Sequence, residues 1–183
     1  MGVDLSPVFT AAARERADEL GVADRVTVEQ GDAAGYRAEP AAFDVAACVG
    51  ATWIGGGVAG TIALLRAALP PTGLLLVGEP FWREPPPADA RAAYGDPDLF
   101  ADLPGLLDRF DGAGADLVEM VLTDEHGWDR YAAAQWWALR RWLDQCPDDP
   151  RAGQVRGFRD EVRRAHLAHQ RRYLGWGVFV LRP

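Results

Sequence analysis

The chain has 183 residues, 49% of them hydrophobic and 25% charged, with a formal net charge of −8. That length suits one domain with a full core, and no apolar run approaches the roughly 20 residues of a membrane-spanning helix. A chain this acidic repels phosphate backbones, which argues for a small-molecule partner rather than nucleic acid or a membrane.

The amino terminus, MGVDLSPVF, has no basic stretch followed by an apolar run, so no signal peptide is expected. Residues 2–5 read as the end of a strand. Ser6 and Pro7 then open a helix that runs to Leu20 and stops at Gly21. Residues 25–30 (RVTVEQ) alternate as a strand does, and Gly31-Asp32 ends them. Residues 43–57 (FDVAACVGATWIGGG) are the centre of the chain: an apolar strand, expected to be buried on both faces, that opens into a glycine-rich loop. The carboxyl end of such a strand is where open α/β sheets place ligands.

An amphipathic helix is expected over residues 61–69 and a fully apolar strand over 73–78, ending at Glu79. Strand and helix in this alternation indicate a parallel sheet with crossover helices. Residues 85–104, rich in proline, alanine and aspartate, read as a mobile connection. A strand follows at 115–123, then helices at 128–145 and from 149 to about 172, and a closing strand at 176–181. The whole chain, 1–183, reads as one domain with a late helical insertion at about 128–172. Seven arginines between Arg151 and Arg172 read as a solvated helix face. Cys48 and Cys146 are too few and too far apart for a disulfide framework and suit a reducing cytoplasm.

Three features fall at the carboxyl ends of successive strands: Asp4, Asp32 and the Gly50–Trp53 turn. A carboxylate has only acceptor sites on two oxygens, so it can take both hydroxyls of a ribose, or the amino group of an adenine. With these residues on the page, the chain resembles the class I S-adenosylmethionine-dependent methyltransferases. The matching residues are Asp4-Leu5-Ser6, Gly31-Asp32-Ala33, the run from Phe43-Asp44-Val45 through Gly50-Ala51-Thr52, and the strand from Gly73 to Glu79.

The resemblance implies a Rossmann-like, mostly parallel α/β sheet with an antiparallel C-terminal strand and S-adenosylmethionine across the carboxyl ends. It assigns Asp4, Leu5, Gly31, Asp32, Ala33, Gly50 and Ala51 to the cofactor. Thr52, Trp53 and Trp82 would line the acceptor. Glu79 and His126 are the candidate catalytic groups, His126 being placed in a loop near aromatic residues. The family's glycine-rich first motif and the strand before it have no counterpart here. Three explanations stand open: an N-terminal truncation, which we favour, two half-sheets that meet directly, or a second chain filling the gap. Cofactor binding and catalysis are expected to suffer, and a non-catalytic binding module is the alternative.

Two further patterns compete. Gly55, Gly57 and Gly60 spell G-x-G-x-x-G before a helix, with Glu79 about 20 residues on, as in NAD(P)-dependent oxidoreductases. The first glycine falls five residues beyond Gly50, where the fingerprint should follow its strand at once. His166 and His169, three apart on a helix, could seat a metal only with a third ligand, so no metal is assigned. Trp136 and Trp137 point about 100° apart on a helix, so they cannot both face one site.

Overall fold

A computed structural model of the chain describes residues 1–92, 94 and 99–183. Part of the expected mobile connection, residues 93 and 95–98, lies outside the described residues.

Strand β1 (Gly2–Asp4) leads into helix α1 (Pro7–Glu19), whose N-cap Ser6 accepts from the Phe9 amide. Strand β2 (Val28–Gln30) follows and pairs with β1 in parallel, Asp4 opposite Gln30. The expected strand at 25–30 is halved because Val26 is exposed and has no partner strand. Strand β3 (Val45–Val49) ends in a 3-10 turn (Thr52–Gly55), and helix α2 (Val58–Arg66) follows. That helix starts three residues before its expected position, because Gly57 serves as its N-cap.

Strand β4 (Leu74–Trp82) is longer than expected and continues through Glu79 and Pro80. Its partner β3 ends opposite Gly78, so Pro80, which has no amide hydrogen, lies where β4 has a neighbour on one side only. Helices α3 (Ala88–Ala92) and α4 (Leu103–Gly112) come next, then strand β5 (Asp116–Leu122). Helix α5 (Glu125–Gln145) and helix α6 (Ala152–Ala165) occupy the stretch read as an insertion. A π-helical turn (His166–Gln170) and a short helix α7 (Arg171–Tyr173) lead into β6 (Leu174–Arg182).

The strands form two sheets. One is β1-β2; the other has the order β3-β4-β6-β5, with β3 parallel to β4 and β6 antiparallel to both of its neighbours. The parallel pairs and the antiparallel last strand agree with expectation. The idea that the half-sheets meet directly does not hold, since β1 and β3 share no pairing among the described residues. Neither is β3 buried on both faces. Cys48 is buried, while Val45 and Val49 are 48% and 54% exposed. One face carries Ala46 onto the core beneath α2, and among the described residues nothing covers the other.

The core lies between the larger sheet and helices α2 and α4. Ile62, Leu75, Val77, Leu106, Phe110, Phe179 and Leu181 are closed to solvent there. Removing such side chains from water, at about 25 cal/mol per Å² of apolar surface, is what holds this half together.

The register also fixes where α5 and α6 sit. Trp82, the last residue of β4, pairs with Leu174, and Leu122, the last of β5, pairs with Gly177. Helices α5 and α6 therefore join β5 to β6 at the carboxyl end of the parallel strands.

Candidate functional site

Asp4 and Asp32 stand at the same end of the paired strands β1 and β2, and both are exposed. Each uses one carboxylate oxygen to brace its own turn. Asp4 Oδ1 accepts from the Ser6 amide at 2.7 Å, and Asp32 Oδ1 accepts from the Ala34 amide at 2.9 Å. The Gly31 amide donates to the Asp4 carbonyl at 3.0 Å, which ties the two turns together. The turns hold both carboxylates in place, and the second oxygen of each has no partner among the described residues. Leu5 beside them is 70% exposed, and Gly31 and Ala33 are half-buried. Two oriented acceptors flanked by an apolar side chain fit the hydroxyls and base of a nucleoside.

The carboxyl ends of β3 and β4 are tied more tightly. Gly50, at φ +77°, donates its amide to the Gly78 carbonyl at 3.0 Å. A Cβ there would lie 3.0 Å from Cη2 of Trp176, so conformation and space both call for glycine. The half-buried Ala51 leads into Thr52, whose hydroxyl donates to Glu79 Oε1. The Thr61 hydroxyl in turn donates to the Thr52 carbonyl at 2.7 Å. Glu79 is 9% exposed, and burial raises its pKa above the usual glutamate value. The Thr52 hydrogen bond and the Arg109 charge pull it partly back. Cys48 is pushed up as well, chiefly by burial.

The tryptophans divide. Trp53 is 76% exposed on the 3-10 turn, open to a ligand. Trp82 is buried, edge-on to Tyr94 and Phe100 at 5.6 and 5.4 Å between ring centroids. His126 is not in a loop. Asp124 caps α5 by accepting from the Gly127 amide at 2.6 Å, so the helix begins at Glu125 and carries His126, exposed, on its first turn. His126 makes no hydrogen bond or ion pair among the described residues, and no contact places it beside Glu79.

The glycines of the competing fingerprint serve packing. A Cβ on Gly55 would collide with the Thr61 backbone, and one on Gly60 with the Gly55 carbonyl. The 3-10 turn and α2 close on each other through these two residues, and the turn separates Gly55 from the strand end.

One cluster escaped the sequence. His166, 1% exposed, places Nε2 at 2.9 Å from Asp129 Oδ1. Arg171 Nε donates to both Asp129 oxygens at 3.0 Å, and its Nη2 reaches Glu125 at 3.2 Å. The His166 and Arg171 hydrogen bonds hold the Asp129 carboxyl below its usual range. His166 thus faces Asp129, while His169 lies 3.9 Å from Asp89, and among the described residues no group of three or more metal-binding side chains gathers around them. The cluster pins the start of α5 to the segment entering β6. Its partners are 37 and 42 residues apart, beyond any local pattern.

Comparison with known proteins bears directly on this arrangement. A protein from Geobacter sulfurreducens, solved as a SAM-dependent methyltransferase with S-adenosyl-L-homocysteine, is 52% identical. The alignment covers 100% of this chain and 74% of that one, with a TM-score of 0.92. The chain belongs to the S-adenosylmethionine-dependent methyltransferases. A second methyltransferase, from Thiobacillus denitrificans and also in complex with S-adenosyl-L-homocysteine, is 49% identical over 98% of this chain and 73% of its own, with a TM-score of 0.91. The Escherichia coli protein YjhP is 49% identical over 183 residues, 98% of this methyltransferase and 73% of YjhP. No family model matches the chain.

Proposed function

We propose that this methyltransferase transfers a methyl group from S-adenosylmethionine to a small-molecule acceptor. The observation that carries the reading is the pair Asp4 and Asp32, each held by its own turn with one oxygen left to accept from a ligand. Asp4 with Leu5 would take the ribose, and Asp32 with Gly31 and Ala33 the adenine. Gly50 and Ala51 would border the cofactor from the other sheet. Bound adenosylmethionine supplies a methyl group on a sulfonium, open to in-line displacement.

The protein's part is orientation, which supplies much of the acceleration in such a displacement. Thr52, Trp53 and Trp82 lie at or beyond the ends of β3 and β4, where the acceptor would sit. Glu79, buried and fixed by Thr52, is the carboxylate placed to take a proton from an acceptor hydroxyl or ammonium. His126 is the second candidate base and, exposed on α5, would need the insertion to close.

The net charge of −8 favours a small acceptor, and Arg159 and Arg163 of α6 already pair with Asp160. Residues 1–183 would act as one domain with α5 and α6 as its insertion. Two free thiols, Cys48 and Cys146, suit the cytoplasm, and no helix among the described residues is long and apolar enough to cross a membrane. A second copy covering the exposed edge of β3 would make an oligomer.

Calorimetric titration with adenosylmethionine and, separately, with NAD tests the reading. Saturable binding of the first and none of the second is expected. Binding of NAD alone would overturn it.

A further inference from the structure

Strand β5 lies at the outer edge of the larger sheet and, among the described residues, pairs only with β6. Edge strands are ordinarily blunted by proline, by lysine, by inward charges or by bulges. The stretch from Val118 to Leu122, VEMVL, has no proline and no basic residue. Its one carboxylate, Glu119, is on the face away from the core, and its bulge comes at the amino end, between Leu117 and Glu119. Val118, Met120, Val121 and Leu122 are 47%, 49%, 63% and 38% exposed. Four apolar side chains in five consecutive positions, open on both faces of the sheet, mark an interaction surface.

The backbone of this edge says what fits it. Thr123 donates its amide to the Trp176 carbonyl at 2.9 Å, so its polar groups face β6. In an antiparallel pair that orientation repeats at every second residue, so Val121 and Glu119 face β6 as well. Met120 and Leu122 therefore point amide and carbonyl outward. A second β5, laid antiparallel with Val121 on the twofold axis, sets Met120 of each copy opposite Leu122 of the other. Each such pair exchanges two hydrogen bonds, which uses every outward group of both residues. Glu119 then faces Thr123 of the second copy, so no carboxylate meets another between chains of net charge −8. A register centred on Met120 would instead set Leu122 against the bulged Val118.

We propose that β5 pairs with β5 of a second copy about a twofold axis at Val121, joining two four-stranded sheets into one of eight strands. The occupant is a second copy because the edge is complementary to itself in donors, acceptors, apolar side chains and charge. Val121 would be covered by its own copy on one face of the joined sheet. On the other face Met120 and Leu122 interleave beside α4, which packs on β5 and carries Leu107, 41% exposed. The axis stands perpendicular to the sheet, so both α4 helices fall on one side and add to the area. A stable interface needs about 800 Å² per partner, more than a strand pair alone supplies. Strand β3 could also receive a second copy, but antiparallel pairing there would carry Phe43 and Asp44 of that copy past Gly50 and Ala51, where the proposed cofactor would sit. The pairing of β5 leaves that end open and does not itself rest on the methyltransferase reading.

Sedimentation equilibrium at micromolar concentrations tests the proposal. The wild type should approach twice the mass of one chain. Val121→Lys sets like charges opposite each other at the axis and should weaken the dimer roughly tenfold or more. Its circular dichroism spectrum should match that of the wild type, because Val121 is exposed. Val49→Lys, on β3, should leave the dimer as it is. Val121→Cys, combined with Cys146→Ser to remove the less buried native thiol, should form a disulfide-linked dimer under mild oxidation. Directly opposed Cβ atoms in such a pair lie about 4.5–5.5 Å apart, close enough for the bond after a small adjustment. A wild type that stays monomeric, or a dimer that Val121→Lys leaves intact, would overturn the proposal. So would a dimer broken by Val49→Lys, which would belong to β3, or one in which Val121→Cys forms no disulfide.

Discussion

Glu79 and Thr52 are 27 residues apart in sequence, yet they share a hydrogen bond between the turn after β3 and strand β4. Nothing in the local sequence marks Thr52 as a partner; only the pairing of two parallel strands brings the side chains together. Glu79 itself was legible, because a lone carboxylate at the end of an apolar strand has few structural reasons to be there. Its raised pKa has a consequence for stability. A carboxyl group whose folded pKa lies above its unfolded value binds protons more tightly in the folded state. It therefore stabilises the protein below the ordinary glutamate range, and that contribution is lost as pH rises through the raised value. Glu79→Gln removes the titration. The melting temperature of the wild type relative to Glu79→Gln should fall as pH rises from below 4.5 toward neutrality. A difference that is flat or rises with pH would show that Glu79 is not held as described.

Elements were legible where their punctuation is local. Ser6-Pro7 announces α1, and the apolar run announces β4. Helix α4 went unread although Asp102 caps it, since a short polar residue amid prolines and alanines resembles a loop. The start of α2 was misplaced for a related reason: the glycines around it look like a flexible loop or a nucleotide fingerprint, and the structure shows them in close packing. Gly60→Ala tests that point. Its Cβ would collide with the Gly55 carbonyl, and the 3-10 turn would have to move away from α2. A loss of about 1–3 kcal/mol is expected from such overpacking, read as a lower midpoint in urea unfolding. A midpoint equal to the wild type's would mean that the turn and the helix are not in contact.

At the scale of the molecule, the parallel strands and the antiparallel last one were readable from the alternation of elements and the resemblance, and the half-sheets were anticipated, but whether they pair with each other was left open. Pairing between β1 and β3 is a long-range property that no single segment carries. Strands β1 and β2 and helix α1 pack chiefly on one another, and Leu5, Val8 and Phe9 remain exposed. The larger sheet encloses the core. The two halves should therefore open with different free energies. Amide hydrogen exchange should be faster at Val3, Asp4 and Gln30 than at Leu75, Val77 and Phe179. Equal protection across both sheets would refute that division.

In the proposed arrangement the adenosine end would lie on the smaller sheet and the reacting end on the larger. Asp4 is thus the residue on which the account rests most heavily. The most direct measurement is the dissociation constant of S-adenosylhomocysteine for the wild-type chain and for Asp4→Ala. Losing hydrogen bonds to a charged group costs about 1.5–3 kcal/mol, so the variant should bind roughly 10- to 150-fold more weakly. The same constant for both proteins would contradict the placement of the cofactor.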